Sequence, residues 1–325
     1  MKLSILDLSP ISSDKTSQDA LEESLKLAQL AEKLRYTRFW MTEHHDLSGL
    51  ASSSPEVILS YIGAQTKTIR LGTGAVLLPF YQPYKVAEVH HTLASLLPGR
   101  VDLGIGRAPG GSAEATNALS DHFLQQVFKM PELVKELLQF IDRKNPVLSA
   151  TPVPEVPPTP WLLGTSKKSA LLAAENGLAY AFGQFMSDNN GVEIIQQYLD
   201  EFKPRSSEGV PQVIVTVSAI CADTDEKAEE IAVSSLIWSL KKEVGVDIDD
   251  MSSIEQAKNY EFNESEKEKI ETMKRKMVIG GPETVKHQLS EMKKKYQADE
   301  IMIMTSALSS EDRMRSYQLI GQKML

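Results

Sequence analysis

Short apolar runs alternate with longer amphipathic stretches along the whole chain. Leu3–Leu8 is the first strand-like run, and Gln18–Arg35 then sets Leu21, Leu25, Ala28 and Leu34 at helical spacing. Further strands are predicted at Arg38–Thr42, Arg70–Leu78 and Val101–Ile105, with helices at Pro55–Gln65 and Tyr84–Leu97. Pro55 opens its helix after a serine cluster able to cap it, and Pro98-Gly99 stops the next helix. Beyond residue 160, strands are predicted at Trp161–Gly164, Ala179–Phe182, Gln212–Cys221 and Glu300–Met304. Helices follow them at Ser166–Asn176, Val192–Phe202, Glu226–Leu240 with Glu283–Lys295, and Ser310–Gln322. Eight strands that read as nearly continuous apolar runs predict a parallel sheet buried on both faces. Such a chain suits an α/β fold, a (β/α)8 TIM barrel forming one domain over residues 1–325. An open doubly wound sheet is the alternative.

Two segments interrupt the rhythm. Asn145–Pro160 holds six prolines, which exclude a regular helix and predict an extended connector crossing the barrel. Lys241–Lys276 is charged and poor in apolar runs, an insertion between the seventh and eighth strands. It reads equally as a lid over the barrel mouth or as a solvated surface insertion.

Composition narrows the class. Asp and Glu outnumber Lys and Arg to give a net charge of −9, which argues against a nucleic-acid partner. The single cysteine, Cys221, permits no intrachain disulfide and no cysteine-rich zinc site, so no metal is expected. The opening MKLSILDLSP lacks a signal peptide's apolar core, and no run approaches the roughly 18 residues that a membrane helix needs. A cytoplasmic protein without membrane contact is the expectation.

Barrel chemistry sits at the C-terminal ends of strands, so the residues just after each apolar run are the candidates. The second run leads into Glu43-His44-His45-Asp46. A histidine beside carboxylates can act as general acid or base, since its pKa lies near neutrality and a carboxylate can orient its ring. A histidine merely hydrogen-bonded within a loop is the competing reading. Adjacent histidines do not share a helical face, which excludes the metalloprotease zinc pattern. His90-His91, inside a predicted helix, reads as structural. The third run contains Gly72 and Gly74, and glycines inside a buried strand indicate a bulge or a close backbone approach.

The fourth run ends in Gly104-Ile105-Gly106-Arg107-Ala108-Pro109-Gly110-Gly111. A dinucleotide fingerprint fails here, because its third glycine falls at Pro109. Arg107, set among small residues at a strand end, suits a phosphate or carboxylate. Gly164-Thr165-Ser166 joins the fifth strand to a helix start, either a phosphate cradle or simply a helix cap. With Arg107 it favours a phosphate-bearing cofactor. Met277–Pro282 is a second glycine-rich approach to a helix, which either joins that anion site or only ends a loop.

The ordered set LSILDLSP, FWMTEHH, RLGTGAVLLPFYQP, GRVDLGIGRAPGG, WLLGTS, SALLAAENGLAYAF and VIGGPETV resembles the bacterial luciferase-like flavin monooxygenases, in particular their LLGSS-type subgroup. The resemblance spans almost the whole chain and implies a TIM barrel with an insertion, usually dimeric. It implies reduced FMN delivered by a separate flavin reductase, O2 as co-substrate and a small organic substrate; some branches use F420 instead. By motif, His44 matches the catalytic histidine, with Glu43 beside it. Gly74 and Ala75 match a non-prolyl cis peptide under the flavin ring, and Arg107 with Gly164, Thr165 and Ser166 matches the flavin phosphate site. The reactive cysteine of true luciferases falls at Gly106, so light emission is not implied, and the stretch from Arg107 to the fifth strand is short for the family. A flavin-dependent monooxygenase is the leading expectation. The alternatives are an F420-dependent oxidoreductase on the same barrel and a non-catalytic flavin-binding protein.

Overall fold

The computed structural model describes residues 1–12, 14–207, 209–243 and 263–325. Among these, nine strands form one all-parallel sheet: β1 (Lys2–Asp7), β2 (Arg38–Met41), β3 (Arg70–Leu77), β4 (Val101–Gly106), β5 (Thr159–Gly164), β6 (Ala179–Gly183), β7 (Val213–Cys221), β8 (Met277–Gly280) and β9 (Glu300–Met304). β1 pairs with both β2 and β9, and β6 pairs with β7, so eight strands close into a barrel. The eight predicted strands are the eight barrel strands.

β8 lies outside the closure. β7 is nine residues long; its first half pairs with β6 and β9, and Ser218–Cys221 runs on to pair with Met277–Gly280. The sequence pattern showed this segment only as a glycine-rich approach to a helix. The helix that follows is Pro282–Lys295, and its N-terminus is already occupied. The Gly281 amide donates to Asp225 Oδ1 at 2.6 Å, and the Thr284 hydroxyl to Asp225 Oδ2 at 3.1 Å. A carboxylate of the chain itself thus takes the place that an external anion would need.

The predicted helices form: α1 (Ser17–Lys33), α2 (Pro55–Ala64), α3 (Pro83–Leu96), α7 (Lys167–Glu175), α8 (Gly191–Asp200), α9 (Asp225–Glu243), α11 (Pro282–Lys295) and α12 (Ser310–Met324). Thr16 caps α1 in a reciprocal box with Asp19, two acceptors meeting two orphan amides. Three unpredicted helices fill the stretch after β4: α4 (Ala113–Leu119), α5 (Phe123–Phe128) and α6 (Met130–Ile141). α6 buries Val134, Leu137, Leu138 and Ile141, whereas α4 and α5 bury no residue. The proline-rich connector has no helix and passes over the outside of the barrel, where Ala150 O meets His91 Nδ1 at 2.9 Å.

Most of the Lys241–Lys276 insertion, residues 244–262, lies outside the described residues, and with it the lid reading. Its last part forms α10 (Glu264–Lys274), which sets Ile270 against Leu236, Ile237 and Leu240 of α9.

The barrel interior is layered. At the N-terminal end Arg38 bonds both Glu300 oxygens (2.8 and 3.0 Å) and Asp102 Oδ2 (2.8 Å). Trp40 Nε1 donates to Asp102 at 3.0 Å, Arg70 reaches the other Asp102 oxygen, and Ser4 bonds Glu300. Above this buried network Leu6, Trp40, Trp161, Ala181, Ile214 and Met302 form an apolar plug, with Trp40 and Trp161 edge to face at 5.6 Å. Charge closes the bottom, apolar side chains fill the middle, and the C-terminal rim is left for chemistry.

Candidate active site

The tip of β2 carries Thr42-Glu43-His44-His45. His44 is half-buried; its amide donates to Ser52 O at 3.0 Å, and its Nδ1 lies 2.9 Å from Thr42 Oγ1. Burial, and then the neighbouring His45, lower the His44 pKa below the usual 6.5. Glu43 is buried rather than presented to the mouth. Its carboxylate accepts from the Leu77 amide (2.9 Å), the Tyr81 hydroxyl (2.5 Å) and His45 Nε2 (2.9 Å). These bonds tie the β2 tip to the β3 tip. His45 completes the frame: its amide donates to Gly110 O at 2.9 Å and its backbone bridges to Gly111. Three strand tips are thereby held in one geometry.

The β3 glycines divide their roles. A Cβ at Gly72 would meet Trp40 Nε1 at 2.6 Å and Asp102 Cβ at 2.7 Å, so this glycine makes room for the network below. Gly74 lies where the β3–β4 register shifts, between Thr73 and Val76, and the Gly74–Ala75 peptide is cis. On β4, a Cβ at Gly106 would stand 3.0 Å from Ala75 Cβ. Both atoms sit on barrel strands, so one must yield by tenths of an ångström. Gly106→Cys is expected to destabilise the fold by about 1–3 kcal/mol. Thermal unfolding of the purified variant measures this, and an unchanged Tm shows that Ala75 moves freely.

A cationic corner lies across the rim. β4 and β5 pair through Ile105 and Leu162, so Arg107 follows its strand at the same step as Gly164. Arg107 is exposed and forms no ion pair among the described residues. It lies close enough to act on Tyr180: burial pushes that phenol up to about 12, while the Ser169 hydroxyl and Arg107 draw it back. Tyr180 Oη is 3.0 Å from Ser169 Oγ, in the first turn of α7. Ser166 caps that helix, its hydroxyl accepting from Ser169 N, and the Thr165 carbonyl is held by Asn189 Nδ2 at 2.9 Å. The cap reading of Ser166 is therefore observed. The amides of Lys167 and Lys168 remain outside the intrahelical pattern at the positive end of the helix. Arg107 and the Gly164-Thr165-Ser166 turn thus share one corner, and His44 lies at the same end of the barrel.

A cavity of about 540 Å³ opens beside the β4 loop, lined by Pro109, Gly111, Thr116, His122, Phe123 and Leu124 among others. Phe123 stacks on Phe80 at 4.7 Å, and Phe80 meets the His45 ring edge on. Its size suits a small organic ligand. Tyr180, Tyr81 and Ser52 carry no local signal, since their spacing ties them to nothing nearby, whereas Ser169 had one in its three-residue offset from Ser166. Thr42 had a readable signal, since residues two apart in an extended strand share a face. His90 and His91 are buried within α3, as their setting indicated. Among the described residues no group of three or more His, Cys, Asp or Glu could hold a metal ion, and no helix is long and apolar enough to cross a membrane.

The family model for luciferase-like monooxygenases matches residues 1–298. The chain belongs to the luciferase-like monooxygenase family. It is an oxidoreductase of the monooxygenase kind. It is 41% identical over 328 residues to the uncharacterised protein YwcH of Bacillus subtilis (strain 168), covering 99% of this chain and 98% of that one. It is 36% identical to the N-acetyl-S-alkylcysteine monooxygenase of the same organism, over 100% and 98% of the two chains. Among solved structures, apo-MsnO8 superposes with a TM-score of 0.86 at 30% identity, covering 99% and 98%. The family match takes in 298 of this luciferase-like chain's 325 residues.

Proposed function

We propose that this luciferase-like enzyme uses reduced FMN and O2 to oxygenate a small organic substrate. The observation that carries the reading is the rim corner where Arg107, without an ion pair among the described residues, leaves β4 level with Gly164 and acts on Tyr180, whose hydroxyl meets Ser169 in the first turn of α7. That donor set fits a phosphate dianion: one guanidinium fork, two backbone amides and a helix dipole. The bulged Gly74–Ala75 segment, with Gly106 beside it, fits a flat ring laid across the barrel mouth. Bound reduced FMN would supply the two electrons that send one oxygen atom to the substrate and the other to water.

The chain's own residues do the rest. Arg107 and the turn anchor the cofactor tail. The Glu43 frame fixes the β2, β3 and β4 tips, so Glu43 positions rather than reacts. His44 Nε2 has no partner among the described residues, and this is the atom that handles a proton or a hydrogen bond at the reacting oxygen. The 540 Å³ cavity against Phe123 receives the organic substrate, and the name of the Bacillus relative makes S-alkyl amino-acid derivatives the first compounds to assay. A separate reductase supplies the reduced flavin, and the setting is the cytoplasm. A homodimer completes the reading, supported by Val57, Tyr61 and Leu96 exposed on α2 and α3.

Spectroscopic titration with FMN, riboflavin and F420 tests the reading. Arg107→Ala is expected to weaken FMN about ten- to a hundredfold, the worth of one to two charge-assisted bonds, and to leave riboflavin unchanged. Equal losses for both flavins place the phosphate elsewhere. Binding of F420 alone moves the chain to deazaflavin chemistry, and tight binding of oxidised FMN without oxygen-dependent product makes it a flavin carrier.

A further inference from the structure

We propose that Ser52 and Thr42 form a one-way hydrogen-bond chain that fixes His44 as the neutral tautomer with its proton on Nε2. His44 then presents a donor, not a base, to the barrel mouth. This assignment comes from counting hydroxyl protons. Its catalytic consequence rests on the reading of His44 given above.

Thr42 and Ser52 are both buried. Thr42 Oγ1 lies 3.1 Å from Ser52 Oγ and 2.9 Å from His44 Nδ1, and each of these contacts permits either direction. Among the described residues neither hydroxyl has a further partner, and His44 Nε2 has none. Two protons and one ring nitrogen must share two contacts.

Consider Nδ1 protonated. It donates to Thr42, and Thr42 then either donates to Ser52 or accepts from it. In the first case the Ser52 proton has no acceptor; in the second the Thr42 proton has none. Either way one buried hydroxyl is orphaned. Now consider Nδ1 bare. Ser52 donates to Thr42, Thr42 donates to Nδ1, and every donor is satisfied. Only this direction closes, and it leaves the ring proton on Nε2. The imidazolium, which needs a proton on Nδ1, is disfavoured by the same count. The lowered His44 pKa agrees with that independently.

The geometry is built by local sequence. Thr42 and His44 stand two apart just beyond the end of β2, and the 2.9 Å contact of Nδ1 with Oγ1 shows that their side chains share a face. The His44 amide bond to Ser52 O (3.0 Å) brings the Ser52 backbone alongside and its hydroxyl within reach of Thr42. Thr42 and Ser52 are therefore positioning residues. A fixed Nε2–H suits the stabilisation of negative charge growing on an oxygen.

The test is NMR of protein labelled with 13C and 15N at histidine, the His44 signals being assigned by their loss in His44→Gln. At neutral pH the expected result is protonated Nε2 and bare, hydrogen-bonded Nδ1, by about tenfold or more over the other tautomer. A proton on Nδ1 overturns the proposal. Thr42→Val keeps the branched shape and removes the hydroxyl. Its Nδ1 signal is expected to move to that of a lone pair without a bond, and Thr42→Ser to restore it. An unmoved Nδ1 signal in Thr42→Val also overturns the proposal. These readouts need no flavin. Turnover with chemically reduced FMN then separates the two layers. A kcat that falls severalfold in Thr42→Val at unchanged FMN affinity, and recovers in Thr42→Ser, supports both. The expected NMR result with unchanged turnover upholds the tautomer and removes His44 from the reaction.

Discussion

His44→Ala is expected to lower turnover with externally reduced FMN about 10²–10³-fold, the usual effect of removing one preorganised donor from a reacting oxygen. FMN affinity should stay within about twofold of wild type, because the proposed phosphate corner is built from residues of β4, β5 and α7 and owes nothing to the imidazole. Removal of the ring leaves the backbone bond to Ser52 O intact, so the β2 tip keeps its path. Stopped-flow turnover beside a flavin titration measures both quantities, and equal kcat in the variant excludes His44 from the mechanism. The pH behaviour has a defined sign. The groups around the ring are His45, with Glu43, Tyr81 and Glu56 behind it. Burial first, and His45 second, hold the His44 pKa below 6.5, so its NMR titration should have a midpoint under that value. The folded chain binds this proton less readily than the unfolded chain. The corresponding stability is present above about pH 6.5 and is lost as the pH falls through the folded pKa. A midpoint at or above 6.5 contradicts the buried setting.

Arg38→Ala is expected to destabilise the fold by about 3–5 kcal/mol. Arg38 satisfies both Glu300 oxygens and one Asp102 oxygen inside the barrel, and it lies 4.7 Å from the Trp161 ring centroid. Its loss leaves two buried carboxylates undercompensated, with Arg70 and Trp40 reaching only Asp102 and Ser4 alone left to Glu300. The penalty is mostly that of the stranded charges rather than the worth of the original bonds. Urea unfolding measures it. Because the network lies at the opposite end of the barrel from Arg107 and His44, the folded variant should bind FMN as wild type does. A loss under about 1 kcal/mol means that water reaches the site and replaces the guanidinium.

The two predictions separate the ends of one barrel, and the ends differ in how far sequence exposes them. The rhythm of apolar runs places all eight barrel strands, because parallel strands covered on both faces must be apolar almost throughout. The rim residues His44, Arg107 and Gly164–Ser166 are readable for a related reason. They stand just after those runs, where the chain leaves the sheet and polar groups become free to face a ligand. The pattern also places Arg38, Asp102 and Glu300 in strands but says nothing of their mutual contact. Nothing local distinguishes an inward charge that meets a partner 262 residues away from one at a strand end in water.

Other features belong to tertiary structure alone. β8 forms because β7 outruns the barrel and leaves an edge to pair, a matter of relative strand length after closure. α4 and α5 bury nothing, and at seven and six residues they are too short for a period along the chain to announce them. Glu43 reads as a companion acid beside two histidines, yet it becomes a buried strut once β3 brings Leu77 and Tyr81 against it. The proton on His44 is decided the same way. Sequence supplies the histidine, and a serine eight residues away, turned back by the loop between them, determines which nitrogen is bare. Periodicity along the chain encodes burial, which each residue expresses locally. Hydrogen-bond direction and charge pairing depend on which residues meet, and only the closed barrel decides that.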